Sequence, residues 1–229
     1  MEELINKTIN YIEDFFKEDY SGHDFYHSLR VYKLAKKIAE NEQCDLEIVC
    51  LSALLHDVDD YKLVGEQTDK YQNAKKFLKS LNYHNSRIDL ICHIISQVSF
   101  KGNNIITPDT IEGKIVQDAD RLDAIGAIGI GRTFTYSGNH NIPMHIPNMP
   151  YRTNMDEKSY KVASSTINHF YEKLLKLKEL MNTKKGKEMA IHRHEFMEKY
   201  LKEFYDEWEM KNWKYTRRYS YDWCKLKFI

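Results

Sequence analysis

Proline and glycine are scarce in this chain, with four prolines and nine glycines among 229 residues. All four prolines (Pro108, Pro143, Pro147, Pro150) fall in two short places, and aromatic and charged residues are plentiful. This is the profile of a helical protein, not of one rich in tight turns. The four cysteines (Cys44, Cys50, Cys92, Cys224) stand singly on helical patterns with no CxxC spacing. That excludes a thiolate metal site and leaves them as small core residues in a reducing compartment. Net charge is absent too: 34 basic residues balance 34 acidic ones. Phosphate backbones demand a basic excess, so nucleic acid is not expected as an obligate partner. No apolar run approaches the roughly 18 residues of a membrane span. The opening "MEELINKTIN" is acidic and lacks the basic and apolar regions of a signal peptide. A soluble, cytoplasmic protein is the expectation, long enough to bury a sizeable core.

What the chain does have is helical periodicity. Leu4, Ile5, Ile9, Ile12 and Phe16 form one stripe over residues 2 to 16. A second helix starts near Phe25 with Asp24 as N-cap, and its stripe runs His27, Val31, Leu34, Ala35, Ile38. Asp45 caps a third, with Leu46, Val49, Cys50, Ala53, Leu54 and then Asp57 on one side. Residues 66–82 and 85–100 read as two more, the latter capped by Asn85 or Ser86. The small-residue-rich stretch 110–136 predicts one central helix packed on several sides. Residues 137–158 hold three prolines and little periodicity, and a loop of that length is expected to be functional or mobile. Two long amphipathic helices are predicted at about 159–181 and 183–208, the second capped by Asn182 or Thr183. The basic, aromatic tail is expected to pack across the bundle. The prediction is a single all-α domain over 1–229, a helical bundle with its core at about 20–135 and C-terminal helices at about 159–208 packed on it.

Polar residues on apolar stripes carry the chemistry. His27 opens the second stripe, while His56 and Asp57 end the third. Asp118, Asp120 and Asp123 interrupt the small, apolar 115–130 segment. Burying unpaired charge is expensive. A divalent cation is the economical partner, because it compensates carboxylates and takes neutral imidazole as ligand.

Three stretches in order, "GHDFYHSLRVYKLA", "ALLHDVDDYK" and "QDADRLDAIGAIGIGRTF", resemble the HD-domain metal-dependent phosphohydrolases. The resemblance is strongest to small bacterial members regarded as nucleotide phosphohydrolases or pyrophosphatases. It implies a helical bundle holding one metal through His27, His56, Asp57 and Asp120, with Asp118 a rival for the last place and His23 for the first. Two imidazoles and two carboxylates suit Mn²⁺ or Fe²⁺ and permit Mg²⁺, Co²⁺ or Ni²⁺. Asp60 is the candidate for orienting or deprotonating a metal-bound water, and Asp59 is expected to face solvent. Arg30 and Lys62 are candidate catalytic and phosphate-binding cations, joined by Lys101 and Lys173 as substrate contacts. Arg132 and His169 could complete the pocket, whereas Arg121 reads as a structural ion pair.

Binuclear relatives place extra ligands where His84 and His93 fall, although a core or pocket-wall histidine is the simpler reading of His93. His140 and His145 lie in the 137–158 loop, a candidate substrate lid. The expected substrate is a small phosphorylated molecule, a nucleotide such as a nucleoside triphosphate, handled by a monomer or homodimer. The alternative is a regulatory module that binds metal and nucleotide without turnover.

Overall fold

Side-chain caps start most of the helices, as the sequence leads one to expect. In the computed structural model, which describes residues 1–18, 24–59, 71–98, 106–153 and 164–211, Asp24 accepts from the His27 amide at 2.8 Å. That bond begins α2 (Phe25–Ala39). Asp45 accepts from Glu47 and Ile48 to begin α3 (Leu46–Leu55). Such caps satisfy amides that the first turn leaves without partners, and each contributes about 1 kcal/mol. Ahead of them lies α1 (Glu2–Phe15), buried through Ile5, Thr8 and Ile12. No strand occurs among the described residues, and the fold is all-α.

Helix α4 (Gln72–Ser80) is started differently. Tyr71, at its N-cap, is left-handed (φ 62°) and makes no side-chain cap bond. Asp59 supplies the acceptors from fourteen residues upstream, taking the amides of Asn73 at 2.8 Å and Ala74 at 3.0 Å. Asp59 therefore caps a helix instead of facing solvent, because two backbone donors arrive only when the chain folds back. Helix α5 is Asn85–Val98; Asn85, expected as its cap, is its first helical residue, and the amides of Arg87 and Ile88 go to the His84 carbonyl.

The expected single helix over 110–136 is two. Thr110 caps α6 (Ile111–Asp123), and α7 (Gly126–Asn139) follows after a sharp elbow. Gly126 has φ of +78°, and a Cβ there would lie 3.0 Å from Cβ and Cγ of Arg193. Only glycine meets both demands without strain. The predicted helix 159–181 is also shorter than expected. Among its described residues, α8 (Thr166–Glu172) passes at Lys173 into a 3₁₀ segment, Leu174–Leu180. Thr183 then caps α9 (Lys184–Trp208).

Helices α2, α3 and α6 pack against one another, with α1 and α5 around them; α9 lies on α6 and α7. Every residue of α3 from Ile48 to Leu55 is buried. It is a helix apolar on all sides, which is what a central position demands. Loop residues 143–153 form a strap tied down at several points. Thr166 and Ile167 donate to the carbonyls of Pro143 and Met144. Arg152 meets buried Glu172 through its backbone amide, Nε and Nη2. No helix among the described residues is long and apolar enough to cross a membrane.

Candidate metal centre

Three helices bring their polar interruptions to one point. His27 sits in the first turn of α2, fixed there by the Asp24 cap. His56 is the C-cap of α3, and Asp57 follows it. His27, His56 and Asp57 are all buried, and each offers a ligand atom within 4.8 Å of the others. Asp57 oxygens lie 3.3 Å from His27 Nε2 and 3.4 Å from His56 Nε2. Asp120, from α6, places Oδ1 3.5 Å and 3.8 Å from the same two nitrogens. Its side chain is 27% exposed while the other three are nearly closed off, so the cluster opens on the Asp120 side.

The partners of the far ring nitrogens fix the tautomers. His27 Nδ1 lies 2.8 Å from Asp123 Oδ2, and His56 Nδ1 lies 2.9 Å from the Ala53 carbonyl. Both partners only accept, so both Nδ1 atoms carry the proton. In neutral rings the two Nε2 atoms are then lone pairs, and they face each other at 3.1 Å. Two lone pairs at that distance repel, and a cation turns the repulsion into attraction. Neighbouring ligands of a six-coordinate ion with bonds of about 2.1 Å stand about 3 Å apart, so the residues fit a divalent metal. Burial opposes a charged His56, but Asp57 and Asp120 outweigh it and push this ring up to about 9.

Asp123 is almost fully buried. Besides His27 it takes Nε and Nη2 of Arg30 at 2.8 and 3.1 Å and Nη1 of Arg132 at 3.0 Å. Burial by itself would raise this carboxyl; His27 and the two guanidinium groups hold it well below the usual carboxylate range. The sequence offers one signal for its place: Asp123 is three residues from Asp120 and shares its helix face.

Asp118 is not in the cluster. It accepts from the amides of Asn182 and Thr183, from Asn182 Nδ2 and from Thr183 Oγ1, at 2.7–2.9 Å. Arg121 donates to the Leu180 carbonyl where an ion pair was expected, and Arg193 likewise donates to that of Leu122.

His84 and His93 are exposed; His84 meets the Ser86 hydroxyl and His93 bonds to Asp109. Neither joins the cluster, and His93 is no core histidine. His140 stacks on Tyr136, while His145 packs edge-on against Phe204, Tyr205 and Trp208 at the end of α9. Lys173 lies half-buried at the end of α8, one turn beyond His169, whose carbonyl its amide meets. His23, Asp60, Lys62 and Lys101 lie outside the described residues.

Known proteins resemble this chain over most of its length. The HD domain family model matches residues 24–125, which span all four clustered side chains. YpgQ of Bacillus subtilis, uncharacterized, is 36% identical over 197 residues, covering 84% of this chain and 88% of its own. Its crystal structure in complex with ADP aligns with TM-score 0.71 over 89% of this chain and 97% of that one. A Lactobacillus plantarum crystal structure gives TM-score 0.82 at 36% identity, covering 92% and 98% of the two chains. An HD-superfamily hydrolase from Bacillus thuringiensis is 41% identical, with TM-score 0.69 over 91% and 98%. With the His-Asp cluster, the all-α fold and these relatives in agreement, the chain belongs to the HD-domain superfamily.

Proposed function

We propose that this protein hydrolyses a phosphoanhydride or phosphoester bond of a nucleotide-like substrate, with nucleoside triphosphates the first candidates. One observation carries the reading: two imidazole lone pairs and two carboxylates converge on one point, where Asp120 is the most exposed of the four described side chains. His27, His56, Asp57 and Asp120 would hold a divalent ion, Mn²⁺ before Fe²⁺, Mg²⁺, Co²⁺ or Ni²⁺. Such an ion supplies a water of lowered pKa and a Lewis acid for a phosphoryl oxygen.

The protein's own groups do the remaining work. Buried walls around His27, His56 and Asp57 exclude bulk water, so charge at the site is felt strongly. Asp60, three residues after Asp57 in sequence, is the proposed base for the attacking water. Arg30 keeps its Nε–Nη2 edge on Asp123 and has Nη1 left to meet a phosphoryl oxygen, on a side chain 32% exposed. Lys62, Lys101 and Lys173 are the proposed further phosphate contacts. The ADP bound by YpgQ supports a nucleotide as the substrate class.

A panel of nucleoside mono-, di- and triphosphates with Mn²⁺, analysed for phosphate and pyrophosphate, tests this. Wild type should hydrolyse at least one member. Asp57→Ala should lose about 10³-fold, since the ion accounts for several kcal/mol of barrier. Hydrolysis that survives in Asp57→Ala overturns the mechanism. Tight nucleotide binding with no turnover would instead make this a regulatory module.

A further inference from the structure

Asp123 and its partners lie behind the proposed ligands, not among them. Its two oxygens receive four donors from two helices: His27 Nδ1 and both Arg30 nitrogens from α2, and Arg132 Nη1 from α7. The carboxylate itself stands at the C-terminal end of α6, three residues beyond Asp120. One carboxylate on α6 therefore links the first histidine to an arginine whose side chain is 32% exposed.

We propose that Asp123 is a positioning residue that sets the tautomer of His27 and the orientation of Arg30 with one carboxylate, coupling metal affinity to phosphate recognition. The Arg30 half rests on the phosphohydrolase reading; the His27 half does not. A carboxylate can only accept, so it holds the ring proton on Nδ1 and keeps the Nε2 lone pair aimed at the cluster. Its second oxygen takes Arg30 Nε, so the guanidinium plane is set by the same anchor. Arg132 places a second guanidinium on the same carboxylate, 3.0 Å from the oxygen that meets His27. The α6–α7 elbow supplies the geometry. Gly126 and the Arg193 bond to the Leu122 carbonyl turn the chain sharply enough to bring Arg132 back over Asp123, nine residues on.

An amide at this position inverts the logic. Asn keeps one acceptor and turns the other into a donor, so either His27 Nδ1 or the Arg30 edge loses its acceptor; where the amide nitrogen faces Nδ1, the ring proton moves to Nε2, which can then no longer ligate. Asp123→Asn should therefore bind Mn²⁺ about 10–100-fold more weakly by calorimetry. Its KM for the best nucleotide, with Mn²⁺ saturating, should rise as Arg30 loses its plane.

In wild type saturated with Mg²⁺, long-range ¹H–¹⁵N correlation of the histidine rings should show His27 protonated on Nδ1, with its signals identified by their loss in His27→Gln. A wild-type His27 protonated on Nε2 overturns the proposal even if the variant does not fold. Unchanged Mn²⁺ affinity in a folded Asp123→Asn also overturns it and leaves the phosphohydrolase reading standing. A wild type that binds Mn²⁺ and hydrolyses no nucleotide overturns that reading, with the tautomer and Mn²⁺ results still supporting the His27 role.

Discussion

Two aspartates two residues apart on α6 meet opposite fates. Asp118 faces the turn before α9, where two backbone amides, one side-chain amide and one hydroxyl donate to it. Asp120 faces α2 and α3, where its Oδ1 lies 3.5 and 3.8 Å from the Nε2 atoms of His27 and His56, whose protons sit on the other side of each ring. One buried carboxylate has every donor it needs. The other is gathered with groups that also want a cation. A carboxylate that holds a fold together is surrounded by donors, and one available to a ligand is left short of them.

That contrast can be broken by exchange. Asp118→Ala leaves four donors without an acceptor at the start of α9, and should lower stability in chemical denaturation by about 3 kcal/mol. Mn²⁺ affinity per folded molecule should hold. Asp120→Asn should do the reverse, weakening Mn²⁺ binding severely while stability without metal is kept or raised, because one like charge leaves the cluster. Equal stability losses in both variants would erase the distinction.

Glu172 gives a second donor-satisfied carboxylate to set beside the cluster. Burial opposes its charge, but bonds from Arg152 and Ser164 prevail and lower its pKa below the usual value of 4.5. A depressed pKa in the fold contributes stability above the unfolded value, and that stability is lost as pH falls through the folded one. Wild type should thus lose more stability than Glu172→Gln between pH 6 and pH 3, read from denaturation midpoints. A parallel fall in both would detach the strap from this pair.

Asp59→Ala should cost about 1 kcal/mol through α4 alone, with hydrogen exchange in 72–80 rising before the rest. At the small end, His93→Ala should stay within about 0.5 kcal/mol of wild type. It should bind the same number of Mn²⁺ ions, counted by elemental analysis; loss of an ion would restore a binuclear centre.

Much of the site was legible because local rules govern it. The Asp24 cap and the α2 stripe place His27 inward, and the end of the α3 stripe does the same for His56 and Asp57. Asp123 was visible only as one acid among three, although its spacing from Asp120 carries a hint. Nothing local marks Asp59 as a cap, since its two amides come from fourteen residues away.

The amino-acid order by itself determined the all-α class, the starts of α2, α3, α6 and α9, and which His and Asp residues interrupt apolar stripes. Periodicity and capping act within one or two turns, so a single chain segment is enough to read them. Only the tertiary structure decided which of three α6 carboxylates turns toward the histidines, which holds α9 and which orients His27. It also decided that 110–136 bends at Gly126. Those outcomes depend on which donors arrive from other helices, and a donor sixty or ninety residues away leaves no mark on the local pattern.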